Sequence, residues 1–307
     1  MSRACAKAKS GVGCDMDLLP EMGMRIARHA PPDLSRSAVP GLRLYRSDRP
    51  TRMISVAYDP MLCLVVSGAK QTILGEVVYD YQAGDCLVVS AELPVCGSVI
   101  ETPYLALSVD LNPKTVAALM LEMGAAAPAD QPPPSGIHVA RLDEDLLEPL
   151  ARLLRLLDRP SEIGVMAPMI ERELIWRLLH SRHAATVRQI GSSESRLAGV
   201  NRAIGWIRAN YARPMRVETL SALAGMSLST FHRHFRTVTT MSPLQFHKQV
   251  RLQEARARLL AGGEGAAEAG FAVGYDSPSQ FSREYARRFG LPPARDAARL
   301  RETLTVG

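Results

Sequence analysis

Two stretches of this chain carry the same chemistry in the same order. Residues 227–237 read SLSTFHRHFRT and residues 277–290 read SPSQFSREYARRFG, so Ser227, Ser229, Phe231, Arg233 and Phe235 recur as Ser277, Ser279, Phe281, Arg283 and Tyr285, each 50 positions later. A helix with its aromatic residues turned inward presents Ser229, Thr230, His232, Arg233, Arg236 and Thr237 outward in the first copy. In the second it presents Ser279, Gln280, Ser282, Arg283 and Arg287. Arginine can hold a guanine edge through two parallel N–H bonds and glutamine an adenine edge, while Ser and Thr near a helix start reach bases or phosphates. The chemistry on offer is the reading of duplex DNA. A lone arginine would be an ordinary surface residue, or a partner for a carboxylate such as Glu284; its return at one place in both copies favours the DNA reading. His234, three residues from Phe231, is expected beside the aromatic stripe rather than on DNA.

The elements that must position these side chains are legible around them. Each copy is a short helix, a glycine turn (Gly225-Met226 or Gly274-Tyr275), a serine cap and a second helix, which is the layout of a helix-turn-helix. Ser242-Pro243-Leu244-Gln245 predicts a capped helix running to about Leu260, with Gln245 placed to reach back to the cap, and Ser277-Pro278-Ser279-Gln280 repeats that signal. Further helices are predicted over 197–211, 216–224 and 264–273. The 18 residues from Pro243 to Leu260 span about 27 Å. Successive major-groove faces lie about 34 Å apart. One chain can therefore set both outward faces into successive grooves.

Charge divides the chain in the same way. From Arg196 onward there are 17 Lys and Arg against 8 Asp and Glu, net +9, whereas residues 1–195 hold 20 against 23, net −3. A basic C-terminal third suits a polyanion; a solvated basic surface is the plainer alternative. At 307 residues the chain has room for two domains with separate cores. Its apolar runs, such as 62–66, fall far short of the roughly 20 residues a membrane span needs. MSRACAKAKSGVGCDMD at the start has no apolar stretch behind its basic residues, so a secretory signal is not expected and the cytoplasm is. Five cysteines with no Cys-x-x-Cys pair fit neither a disulfide framework nor a zinc module.

Residues 42–111 break into eight short apolar segments rich in Val, Ile, Leu and Tyr, separated at Gly68, Gly75, Gly84-Asp85, Pro94, Gly97 and Pro103. This predicts a β-sandwich or small barrel. A helix capped by Asn112 with Pro113 in its first turn should run to Met123 and stop at Gly124, followed by a Pro-rich loop over 127–136. Helices over 143–157 and 161–180 carry the stripes Leu146, Leu150, Leu153, Leu157 and Met166, Ile170, Leu174, Leu178, which can pack on the sheet or form a dimer seam. Residues 184–196 read as a polar interdomain linker.

Over residues 197–301 the motifs LSALAGMSLSTFHRHFR, MSPLQFHKQVRLQEARARLL, VGYDSPSQFSREYARRFG and LPPARDAARLR together resemble the AraC/XylS family of bacterial transcription regulators. The resemblance implies seven helices, two helix-turn-helix units joined by the long helix, and activation or repression at promoters, with double-stranded promoter DNA and RNA polymerase as partners. Where many members continue with Ser and an aromatic residue, this chain has Leu291-Pro292-Pro293-Ala294-Arg295-Asp296, which bears on how the last helix packs. The N-terminal part resembles the cupin-like sensor domain of a subgroup of that family, implying a small-molecule effector and a possible homodimer. Metal-dependent cupins use a His-x-His pair, and none of the seven histidines lies between Tyr45 and Asp110, so neither a metal nor another cofactor is expected.

The reading is therefore a multidomain α and β protein: a tail over 1–36 expected to be flexible, a cupin-like barrel with accessory helices over 37–183, a linker over 184–196, and an all-α DNA-binding domain over 197–301. A regulator and not an enzyme is expected. The competing class is a metal-free or thiol-dependent enzyme, for example one of DNA alkyl-transfer repair, with a DNA-binding tail. Cys63 and Cys86 lie in strand-like runs that suit a core, and Cys96 beside a turn is the best candidate for an exposed thiol. A nonspecific basic DNA-coating protein is the third reading, disfavoured by the paired capped helices.

Overall fold

A computed structural model describes residues 18–30, 35–124, 135–191, 196–261 and 264–305. The N-terminal half is built on an antiparallel sheet of β1 (Ser35–Arg36), β2 (Leu42–Ser47), β3 (Ile54–Tyr58), β4 (Met61–Leu74), β5 (Val77–Gln82), β6 (Asp85–Val89), β7 (Leu93–Asp110) and β8 (Ile137–Arg141). The order is β1-β2-β7-β4-β6-β8, with β3 added to β7 and β5 to β4. Six strands, not eight, occupy residues 42–111, because β4 and β7 each fuse two expected segments. Gly68 bulges β4 instead of ending it: its φ is +74°, the pairing with β7 slips around it, and a Cβ there would meet Tyr104 Cα at 3.0 Å.

Both faces of this sheet are covered, which is why its strands read as near-continuous apolar runs. Leu62 and Leu64 on β4, Cys86 and Val88 on β6, and Leu107 and Val109 on β7 face one core. The alternate residues Met61, Cys63, Val65, Leu87, Val89 and Ala106 face a second.

Five helices cover the first face: α1 (Leu18–His29), α2 (Pro113–Glu122), α3 (Leu147–Arg155), α4 (Ile163–Leu179) and α5 (Ala184–Gly191). Asn112 caps α2 as expected, accepting from the Lys114 N–H. Two expectations change here. Within the stretch expected to be a flexible tail, α1 buries Met22 and Ile26, one turn apart, and Glu21 takes two hydrogen bonds from Arg155 of α3. Within the expected linker, α5 buries Val187 and Ile190 against the same core. A short apolar pair suffices to dock each helix. The leucine stripes are likewise consumed inside: Leu146, Leu150 and Leu153 of the first and Ile170, Leu174 and Leu178 of the second are buried. Of the Pro-rich run, residues 127–134 lie outside the described residues.

The C-terminal half is α6 (Arg196–Ala209), α7 (Val217–Ala224), α8 (Leu228–Thr239), α9 (Pro243–Ala261), α10 (Ala266–Ala272), α11 (Pro278–Phe289) and α12 (Pro293–Thr305). The second sheet core continues into α6 to α9 through Ile204, Ile207, Phe231, Phe235 and Phe246, while α9 to α12 share a third core around Phe281 and Tyr285. The halves also meet through polar contacts. Gly136 N–H donates to Val238 O at 3.1 Å, Gln249 Nε2 to Pro94 O at 2.8 Å and Thr240 Oγ1 to Leu74 O at 2.6 Å. Arg208 pairs with Glu92. Among the described residues no helix is long and apolar enough to cross a membrane.

Candidate nucleic-acid interface

The two copies are built from the same local rules. Gly225 ends α7 with φ +69°, and Gly274 follows α10 with φ +88°, the left-handed conformation that glycine adopts at least cost. In both, the next residue turns its N–H back five positions, Met226 to Ser221 O and Tyr275 to Gly270 O, each at 3.0 Å. Ser227 and Ser277 then cap α8 and α11, their hydroxyls accepting from the Thr230 and Gln280 N–H groups at 3.3 Å. The second turn holds one residue more, Asp276, so the glycines lie 49 apart and the caps 50. Of the three helices α8, α9 and α11, only α9 forms the reciprocal box among the described residues, with Gln245 Oε1 accepting from Ser242 N–H at 2.8 Å. Gln280 instead turns its amide toward Glu284 at 3.4 Å.

Inward faces are aromatic, as the spacing required. Phe231 and Phe235 stack at 5.3 Å between centroids and Phe235 meets Phe246 of α9 edge-on at 5.4 Å. Phe281 packs on Tyr275 and Tyr285 at 5.3 and 5.5 Å, and against Gly270, where a Cβ would touch its ring at 2.9 Å. Only glycine lets α10 approach so closely. His234 is buried beside the stripe, as expected.

Outward, Ser229, His232, Arg233, Arg236 and Thr237 on α8 and Ser279, Gln280, Arg283 and Arg287 on α11 are exposed, with Thr230 and Ser282 half-buried. Some polar capacity is already used: Thr230 accepts from Ser227 Oγ at 2.9 Å and Thr237 donates to Arg233 O at 3.0 Å. Glu284, the carboxylate considered for Arg283, is engaged elsewhere, by Lys248 Nζ and Tyr275 OH at 2.8 Å each. Burial would raise its pKa, and the bonds from Lys248, Tyr275 and Gln280 outweigh that and hold it below the usual range. The guanidiniums of Arg233, Arg236, Arg283 and Arg287 are on the surface, while Glu284, Asp296 and Glu264 pair with Lys248, with Arg256 and Arg299, and with Arg258.

The 19-residue α9 separates the two units by about 28 Å of helix rise. It also fixes their mutual orientation. Arg251 donates Nε to Tyr211 O at 2.6 Å and Nη1 to Gly274 O at 3.0 Å, tying the end of α6 to the second turn. Sequence reasoning did not single out Arg251. It also missed Asp296, fully buried, which accepts from Arg256 Nε at 2.9 Å, Arg299 Nη2 at 2.8 Å and Tyr285 OH at 3.1 Å. That carboxylate anchors α12 in the place where the sequence departs from the family pattern.

The N-terminal half, over residues 38–186, matches the family described as AraC-type transcriptional regulator N-terminus, and residues 220–299 match the helix-turn-helix domain family. The chain belongs to the AraC family. Similar curated proteins include the transcriptional activator RhaS of Pectobacterium carotovorum, 30% identical over 105 residues, covering 34% of this chain and 38% of that one. RhaS of Escherichia fergusonii is 24% identical over 154 residues, 50% of this chain and 55% of that one, so the chain spans about half the length of the curated relatives it matches. Among solved structures, ToxT of Vibrio cholerae bound to an unsaturated fatty acid superposes with a TM-score of 0.51 at 9% identity, covering 83% of this chain and 94% of that one. That likeness is one of fold, an antiparallel β domain followed by a helical one.

Proposed function

We propose that this AraC-family chain is a sequence-specific DNA-binding transcription regulator in which α8 and α11 enter successive major grooves and the β domain senses a small molecule. The observation that carries this is the repeat itself: two serine-capped helices, each with arginines turned to solvent, joined through one 19-residue helix. Relatives described as transcriptional activators, and a structural neighbour described with a fatty acid bound, support the same reading. Double-stranded promoter DNA is the partner, with RNA polymerase acting alongside.

Arg283→Ala should weaken binding to a selected site by about 1 to 3 kcal/mol more than binding to random DNA, measured by fluorescence anisotropy at near-physiological salt. Equal losses on both DNAs would assign Arg283 to phosphate.

Among the described residues, the cysteines weigh against the thiol-enzyme reading. Cys63, Cys86 and Cys96 are all buried, so Cys96 too, the best candidate for an exposed thiol, takes the structural filling role favoured for it from sequence. Burial pushes the Cys63 thiol up to about 11 and Cys86 up to about 12, which suppresses the thiolate. A homodimer has a different seam from the one first considered. The outer faces of α4 and α2 leave Val165, Met169, Trp176 and Leu121 exposed after the leucine stripes are spent. Trp176→Glu should shift a dimer to monomer in sedimentation; an unchanged profile would place the seam elsewhere.

A further inference from the structure

The β domain holds a cation that meets rings in place of a carboxylate. Lys70 of β4 is half-buried, and its Nζ lies 5.5 Å from the Tyr58 ring centroid and 6.0 Å from that of Tyr45. It reaches a cavity of about 280 Å³ whose walls include Leu44, Val56, Val99 and Tyr104. Arg46, the other cation on this cavity, is already paired with Asp48 at 2.9 Å. Of the hydroxyls nearby, Tyr45 OH bonds Ser108 Oγ at 3.0 Å and Thr72 Oγ1 bonds Tyr81 OH at 2.7 Å. Gly97 on β7 keeps room for the lysine stem, since a Cβ there would sit 3.1 Å from Lys70 Cε.

We propose that this cavity is a binding site for a small monocarboxylic acid with a compact apolar body, its carboxylate seated on Lys70 Nζ. A neutral polyol would leave the ammonium without a counter-charge and the apolar walls without a partner. A dianion would bring one charge more than the free cation answers. At roughly 30 Å³ per water-sized group, the cavity holds on the order of ten non-hydrogen atoms, too few for a long acyl chain. Burial alone would lower the Lys70 pKa, and the adjoining Tyr58 oxygen outweighs it and leaves the pKa raised, so the ammonium stays charged.

The site deepens the proposed function and depends on it only for its consequence. In the β3–β7 pair, Ile54 opposite Gly97 lines the cavity, while Ser55 opposite Cys96 lies one residue on. Cys96 Sγ is 3.0 Å from Ser55 Oγ and accepts from Arg288 Nη2 of α11 at 3.0 Å. The same two strands therefore carry the ligand seat and the contact to the second recognition helix, so an acid that orders them changes the affinity for DNA.

The test is calorimetric titration of the full chain with cyclohexanecarboxylate, its amide, and hexadecanoate below its aggregation limit. The compact acid should bind, with the amide and hexadecanoate weaker by roughly tenfold or more, and Lys70→Met should abolish the acid's advantage while Lys70→Arg retains part of it. Gly97→Val, which leaves the charge in place and fills the cavity, should lose binding by a similar factor and serves if Lys70→Met does not fold. Failure of the folded chain to bind the acid, equal affinity for acid and amide, tighter binding of hexadecanoate, or full binding by both Lys70→Met and Gly97→Val overturns the proposal. Sequence-selective DNA binding by a chain that ignores the acid would leave the regulator standing and refute this site. Acid binding with an unchanged affinity for DNA would leave the site standing and refute the link to regulation.

Discussion

Removing one carboxylate, in Asp296→Ala, should unfasten the second DNA-reading unit from within. Asp296 is fully buried between α9, α11 and α12, and Arg256, its main partner, is itself buried. The substitution strands the Arg256 guanidinium and the Tyr285 hydroxyl without the acceptor they were folded around. Breaking a buried pair from one side costs about 3 to 5 kcal/mol, because a desolvated charge is left unanswered. The core around this pair is small, nine buried side chains of which three are aromatic. A loss of that size is a large share of the roughly 5 to 15 kcal/mol that holds a domain together. The unit of α10 to α12 should therefore open before α6 to α8 do. Guanidinium unfolding gives the total loss, and hydrogen exchange of the α10 to α12 amides locates it. Arg256→Met with Asp296→Leu removes both charges and should recover a large part of the loss, with a coupling of about 1 to 3 kcal/mol. A loss under about 1 kcal/mol for Asp296→Ala, or exchange that rises equally in α6 to α8, would refute the argument.

Phe281→Ala should cost about 3 to 5 kcal/mol in the same unit, since the ring fills the space between α10 and α11, and thermal melting checks it. It should also erase one of two DNA boxes and leave the other. Acid should weaken the β domain through His183. This ring is buried, with Cys86 Sγ 3.2 Å from Nε2 and His138 Nδ1 2.9 Å from Nδ1. Burial first, then the neighbouring His138, lowers its pKa from 6.5 to about 4. The unfolded chain binds this proton more readily, so the contribution is full above pH 6.5 and is lost as pH falls toward 4, up to about 3 kcal/mol. Melting temperature across pH 7.5 to 4.5 should fall less steeply in His183→Gln than in the parent chain; parallel curves would acquit His183.

The helical half was legible because its signals are local. Serine caps, turn glycines and an aromatic stripe each act within one or two turns, so Ser227, Gly274 and Phe281 could be assigned from neighbours alone. Asp296 could not, since its partners Arg256, Tyr285 and Arg299 come from three helices and an acidic residue early in a helix is unremarkable by itself. In the β half the alternation was masked by burial of both faces, so β4 and β7 looked like four strands and the Gly68 bulge like a turn. Helices α1 and α5 were hidden for the opposite reason. Their buried pairs, Met22 with Ile26 and Val187 with Ile190, are short apolar signals inside polar stretches. Lys70 was not singled out in sequence, because its ring partners Tyr45 and Tyr58 lie on other strands and meet it only in the folded sheet.

The central claim is that one chain reads two boxes with α8 and α11, and selection from a random double-stranded DNA pool tests it most directly. Enrichment of two short boxes with centres about one helical turn, roughly 34 Å, apart is the expected result. Arg233→Ala should relax one box and Arg283→Ala the other. A folded chain that enriches a single box, or no sequence at all, would contradict it.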